Sequence, residues 1–372
     1  MPYYFWWAVY NQYSSPCLVS ILLFSFYLKA CIFLNMQEKI LFITSSRIGD
    51  AVLSNGILNH LVAKFPQARV TVACGPLVES LYAGLPQLER VIPLRKQSWK
   101  RHWIKLWREV IGTHWDVVVD LRNSAISRLV YARHKYVMGM GIDQSHHKAI
   151  QNASILGLET LPETRLWLSV PQIEKARELI PDGSSVLGIG PTANWIGKTW
   201  PIENFINLVG QLISDQNLFS GWRVAVFAAP GEEDAARKLL ASLPDGIGID
   251  LIAKGNVGEA AACLSRCDFY IGNDSGLMHA AAAAGVPTLG LFGASYPEIY
   301  APFGKYAAYV RTPETFDELT GYDGYNSRTL KQSLMGSLTV DAVMEAVLAL
   351  KNSVGFVVKK RDILHCVQDD KK

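Results

Sequence analysis

Ile271-Gly272-Asn273-Asp274-Ser275-Gly276-Leu277-Met278-His279, running on through Ala280–Ala284 to Gly285 and Pro287, is the stretch on which the fold turns. An apolar run, Asp268–Gly272, ends in glycine, Asp274 or Ser275 stands where a helix cap belongs, and an Ala-rich helix opens near Gly276. A buried strand feeding a helix through a tight polar turn is the joint of a parallel α/β sheet. It leaves the amides of Ser275, Gly276 and Leu277 able to meet an anion such as a diphosphate. Asp274 also reads as a plain cap and His279 as a satisfied buried histidine, and the alanines need only close helix–sheet packing.

Outward from this joint the same grammar repeats. Val186–Gly190, Arg223–Ala228, Asp250–Ile252 and Thr288–Phe292 read as further short strands, with helices between them. Before the Pro/Gly-containing stretch Pro181–Ser185 an earlier series runs Lys39–Thr44, Arg69–Ala73, Val91–Leu94 and Asp116–Asp120, with helices expected at about 51–64, 98–111 and 124–133. The expectation is two doubly wound α/β halves, 37–180 and 181–335, facing a central cleft. A last helix, 336–352, follows the loop around Gly321–Gly324, and 353–372 is a polar tail. Ligands of such sheets bind beyond the carboxyl ends of the strands, so two halves can hold two substrates.

The 372 residues suit two domains of roughly 150 residues. With 49% hydrophobic and 19% charged residues the chain is not a disordered one, and a net charge of +3 lacks the basic excess of a dedicated nucleic-acid binder. Six cysteines lie scattered without zinc-ligand spacing, and Cys263 and Cys267, one helical turn apart, are expected as buried thiols in a reducing compartment. Residues 1–35 carry one charge, Lys29, and their densest apolar run, Cys17–Leu28, is shorter than the about 20 residues that span a bilayer. Met36 stands two polar residues ahead of the first strand, so the extension 1–36 is read either as a start-site artefact or as a membrane anchor.

Three other segments carry chemistry. In Ser45-Ser46-Arg47-Ile48-Gly49-Asp50, Gly49 permits a tight turn and Asp50 falls at a helix start. It can serve there as an N-cap and also as a base for an acceptor hydroxyl, and both can hold at once. Gly188-Ile189-Gly190-Pro191-Thr192-Ala193, followed by Asn194–Pro201, mimics a dinucleotide fingerprint, but Pro191 and Pro201 break it, and Thr192 stands where a P-loop needs glycine. What remains is a long loop with Thr192 as a candidate donor contact and Lys198 as a flexible cation suited to phosphate oxygens. Arg95, Lys96, Lys100, Arg101, Lys105 and Arg108 lie in one stretch without an acid, around Trp99, Trp103 and Trp107. The tryptophan stripe is expected to pack into the core. The cations, with Arg47, favour an acidic acceptor or an anionic membrane surface.

SSRIGDAVL, GPTANWIGKTWP and IGNDSGLMHAAAAAGVPTLGLFG, in this order and spacing, resemble glycosyltransferase family 9, the lipopolysaccharide heptosyltransferases and their relatives, over about 37–350. The resemblance implies a GT-B fold, two Rossmann-like domains with the last helix crossing back to the first. It implies an inverting, metal-independent transfer of a sugar, often heptose, from a nucleotide diphosphate to a lipopolysaccharide core or similar glycolipid. It makes Asp50 the catalytic base, Lys198 the phosphate contact, and Asp274 with Ser275, Gly276 and His279 the donor-binding segment. Arg47, Arg95, Lys96, Lys100 and Arg101 fall on the acceptor side. No cofactor and no metal are expected, since no DxD occurs near the cleft and the Asp369-Asp370 pair lies in the tail. The donor is ADP-heptose or another nucleotide-sugar, and the place of action is the cytoplasmic face of the inner membrane. The alternatives are a sugar-nucleotide epimerase and a catalytically inactive nucleotide-sugar-binding protein.

Overall fold

The computed structural model describes residues 37–139 and 141–354. The extension 1–36, most of the tail and the Asp369-Asp370 pair lie outside the described residues. Residues from Lys39 onward belong to one compact unit.

Two parallel sheets carry the fold. The first consists of β1 (Lys39–Ile43), β2 (Arg69–Cys74), β3 (Leu88–Pro93), β4 (Trp115–Asp120) and β5 (Ala132–Val137), in the order β3-β2-β1-β4-β5. The second consists of β6 (Val186–Gly190), β7 (Arg223–Ala228), β8 (Gly248–Ile252), β9 (Phe269–Asn273), β10 (Thr288–Phe292) and β11 (Ala307–Arg311), in the order β11-β10-β9-β6-β7-β8. Strand order reverses between β1 and β4 in one sheet and between β6 and β9 in the other. The crevice at such a reversal is where doubly wound folds bind ligands.

Two strands went unforeseen, and both are edges. Ala132–Val137 overlaps the stretch expected as helix 124–133, of which only Ile126–Leu129 is helical. β5 (ARHKYV) is half-exposed along its length and lacks the continuous apolar run that marks a central strand; β11 (AAYVR) is half-exposed likewise, although its residues up to Val310 are apolar.

A helix α1 (Ile48–Lys64) follows β1 and buries Ala51, Val52, Ile57 and Leu58. It packs against α9 (Gly276–Ala283), the helix after β9. Another helix, Val170–Leu179, packs on Val257–Leu264 of the second half. There Gln172 Nε2 donates to the Ser80 carbonyl at 2.8 Å, and the Gly258 amide donates to Ser80 Oγ at 2.9 Å. One core therefore runs through both halves, with Ile40, Val70 and Val119 continuous with Ala261, Cys263, Met278 and Ala280. Cys74, Cys263 and Cys267 are buried, and burial pushes the Cys263 thiol up to about 11.

The last described helix, Val340–Ser353, departs from expectation. It sends Val343, Val347 and Leu350 into the core on the far side of the second sheet, against β10, β11 and the helix Ile202–Ser214, and not toward the first half. It shares that side of the sheet with Ile202–Ser214 and Glu233–Ser242.

Candidate active site

The loops after β1, β6 and β9 converge because α1 and α9 meet almost backbone to backbone. A Cβ on Gly276 would lie 2.4 Å from Ile48 Cβ, and one on Gly49 would lie 2.7 Å from His279 Cδ2. Only glycine lets the two helix starts approach this closely. Ile48-Gly49-Asp50 from the first half is thereby set against Ser275–His279 from the second.

Asp50 is not the cap of its helix. The helix begins at Ile48 with Arg47 at the N-cap, so Asp50 lies within the first turn, partly exposed, its Oδ2 accepting from Ser45 Oγ at 3.2 Å. Nor does Asp274 cap α9. Ser275 takes that position and makes no side-chain capping bond, which leaves the amides of the first turn without an internal acceptor.

The Asp274 carboxylate instead receives Lys198. Nζ donates to Asp274 Oδ2 at 3.0 Å, with the two side chains 22% and 8% exposed, while His279 Nε2 stands 3.9 Å from Oδ1. Lys198, read from the sequence as a flexible cation on a long loop, ends a short 3-10 turn, Ile196–Lys198. That loop is fastened on both sides of the lysine: the Trp200 amide donates to Asn273 Oδ1 at 3.0 Å, and Trp195 Nε1 donates to the Ser327 carbonyl at 2.9 Å. Thr192, further up the loop, is buried.

His279 is buried between these groups. Burial, with His147 and Lys198 nearby, outweighs the pull of Asp274 and Asp50 and lowers it to about 4, so it is neutral at physiological pH. In the unfolded chain a histidine titrates near 6.5, so between these values the unfolded state holds the extra proton, and stability falls as pH drops from about 6.5 toward 4. On the order of 3 kcal/mol is lost across that window. Urea midpoints at pH 7 and pH 5 should fall apart in the natural protein and draw together in His279→Gln. An equal fall in both would remove His279 as the cause.

Tyr300 was not singled out from the sequence, yet it reports the convergence. Its phenol is half-buried; burial and then the Asp50 and Asp274 carboxylates raise its pKa, while Arg47 lowers it. It thus stands among charged groups of both halves. No motif marks it, because it comes from a four-residue helix, Pro297–Tyr300, in a connection after β10. His147 was missed too: its Nδ1 accepts the Ala149 amide at 3.2 Å, so Nε2 carries the proton given to the Ala301 carbonyl at 2.9 Å, tying the first half to the second.

Arg95, Lys96, Lys100 and Arg101 lie exposed on the first half after β3. The tryptophan stripe does not enter the core as expected. Trp103 packs partly against it, whereas Trp99 precedes the helix Arg101–Val110 and is 94% exposed, and Trp107 is exposed as well. Among the described residues no group of three or more His, Cys, Asp or Glu is placed to hold a metal ion.

Two parallel α/β sheets with charged side chains gathered at their strand ends make a GT-B-type fold. The chain resembles glycosyltransferase family 9 (heptosyltransferase), whose profile matches residues 148–319. It is 24% identical over 363 residues to lipopolysaccharide heptosyltransferase 2 of Salmonella typhimurium, an alignment covering 85% of this chain and 99% of that one. Among solved structures it is similar to the E. coli ADP-heptose lipopolysaccharide heptosyltransferase II, with TM-score 0.66, 21% identity, and coverage of 85% of this chain and 99% of the other. The family 9 glycosyltransferase of Veillonella parvula superposes with TM-score 0.70 at 19% identity, over 85% and 97% of the two chains.

Proposed function

We propose that this glycosyltransferase moves a heptose from ADP-heptose, with inversion and without a metal, onto a lipopolysaccharide core or closely related glycolipid at the cytoplasmic face of the inner membrane. The observation that carries the chemical part is the closeness of two unlike groups: the Asp50 turn abuts the helix whose start holds the Lys198–Asp274 pair. The sugar and acceptor follow the names of the relatives.

Inversion needs a single in-line attack, with a base on one side of the anomeric carbon and charge stabilisation on the other. Asp50 takes the proton of the acceptor hydroxyl as that oxygen bonds to the anomeric carbon. The bond to the nucleotide diphosphate breaks, and its negative charge develops against Lys198 and the first-turn amides of α9. Residues 37–180 then form the acceptor side, with Arg47, Arg95, Lys96, Lys100 and Arg101 facing an acidic glycolipid, and residues 181–335 the donor side.

Asp274 takes a different part from a donor ligand. A carboxylate repels a diphosphate, but one bound to Lys198 Nζ leaves that ammonium two further donors and fixes where they point. Asp274 is therefore a positioning residue for Lys198, with Thr192, Ser275, Gly276 and His279 shaping the donor pocket around it.

The test is release of ADP from ADP-heptose with and without heptose-deficient lipopolysaccharide. Release that requires the acceptor is expected. Release of equal speed in its absence, or none in its presence, would overturn transfer in favour of an epimerase or a binding protein.

A further inference from the structure

We propose that the exposed ridge Trp99, Ile104, Trp107 and Ile111 docks this enzyme on an anionic bilayer, with Lys105 and Arg108 as its electrostatic partners. The purpose of such docking rests on the glycolipid reading above, but the surface stands on its own observations.

The helix Arg101–Val110 has one face fully accounted for: Leu106 and Val110 are buried, and Trp103 packs beside them. Ile104, Trp107 and Ile111, at i, i+3 and i+7, form a second apolar stripe that has no cover. Trp99, just ahead of the helix, is 94% exposed. Trp99 and Lys100 both hold positive φ, 57° and 55°, a conformation uncommon for residues with a Cβ. Four large apolar side chains thus lie in solvent within thirteen residues of one another, in a stretch that buries its core face normally.

Charge selects the occupant. Arg95, Lys96, Lys100, Arg101, Lys105 and Arg108 surround the ridge, and the only acid within the helix is Glu109, which lies 4.0 Å from Lys105. A protein partner would have to supply a large apolar and strongly acidic face at once. A bilayer rich in anionic phospholipid supplies both, with a headgroup region in which tryptophan is at home. Among the described residues no helix is long and apolar enough to cross a membrane. The ridge therefore offers contact with the surface and not insertion across it.

The full chain is mixed with vesicles of phosphatidylglycerol and phosphatidylethanolamine, or of phosphatidylcholine alone, and sedimented. Binding to the anionic vesicles should exceed binding to the neutral ones by about tenfold or more, and should weaken as salt rises. Trp99→Ser/Trp107→Ser and Lys105→Glu/Arg108→Glu should each lose at least about tenfold in binding while keeping the natural melting temperature. Variants that bind as well as the natural chain would place attachment elsewhere, on the extension 1–36 for instance, and overturn the proposal. So would a natural chain that binds neither vesicle. Because sedimentation needs no sugar transfer, acceptor-independent ADP release alongside normal vesicle binding would sink the glycolipid reading alone.

Discussion

Asp50→Asn should lower turnover by roughly 10²–10⁴-fold while leaving ADP-heptose affinity nearly unchanged. The amide keeps the shape of the carboxylate and can still accept from Ser45 Oγ, so the first turn of its helix keeps its local bond. What it cannot do is accept the proton of an attacking hydroxyl. Gly49, next to Asp50, meets His279 and Gly276, whereas the proposed diphosphate contact is Lys198 at Asp274, so the two roles fall on different residues of the site. Single-turnover rates with saturating donor, together with donor affinity by calorimetry, separate the two effects. Turnover close to that of the natural enzyme would remove Asp50 as the base; lost donor binding would place it on the wrong wall.

Lys198→Ala should weaken donor binding by about 10–100-fold, the worth of one or two hydrogen bonds to a charged group. It should also destabilise the free protein, because Asp274 is left nearly buried without its cation. Loss of one partner from a buried pair costs about 3–5 kcal/mol, and the partial exposure of Lys198 puts the expected loss at about 2–3 kcal/mol. The two consequences come apart in Lys198→Ala/Asp274→Ala. Removing both charges should restore most of the stability, yet donor affinity should stay low, since no ammonium remains to meet the diphosphate. Recovery of donor affinity in the double variant would show that Lys198 merely neutralises Asp274. Asp274→Ala alone should weaken donor binding through a mobile lysine, and Asp274→Asn should rescue it in part.

Most of the framework was legible in the chain, and the errors have physical causes. Central strands such as Phe269–Asn273 are apolar on both faces because helices cover both, and that run stands out in any reading. Ala132–Val137 closes a sheet edge, where half the surface meets solvent and the pattern fades; Ala307–Arg311, also at an edge, is short but apolar through Val310. The tryptophans at 99, 103 and 107 mislead for a related reason. Spacing by four predicts one helical face, but the helix starts only at Arg101, and spacing does not say which face the rest of the molecule covers.

The motifs by themselves determined the doubly wound halves, the strand-end loops and the kinds of side chain those loops carry, since these follow from local periodicity and turn chemistry within about ten residues. Tertiary structure alone decided that Lys198 meets Asp274, that Gly49 and Gly276 bring two helix starts together, that Tyr300 joins them, and that the last helix stays with the second sheet. Lys198 and Asp274 are 76 residues apart, and Gly49 is farther still from His279. Pairings over such separations are chosen by how two finished sheets pack around a shared core, and no short-range pattern records that choice.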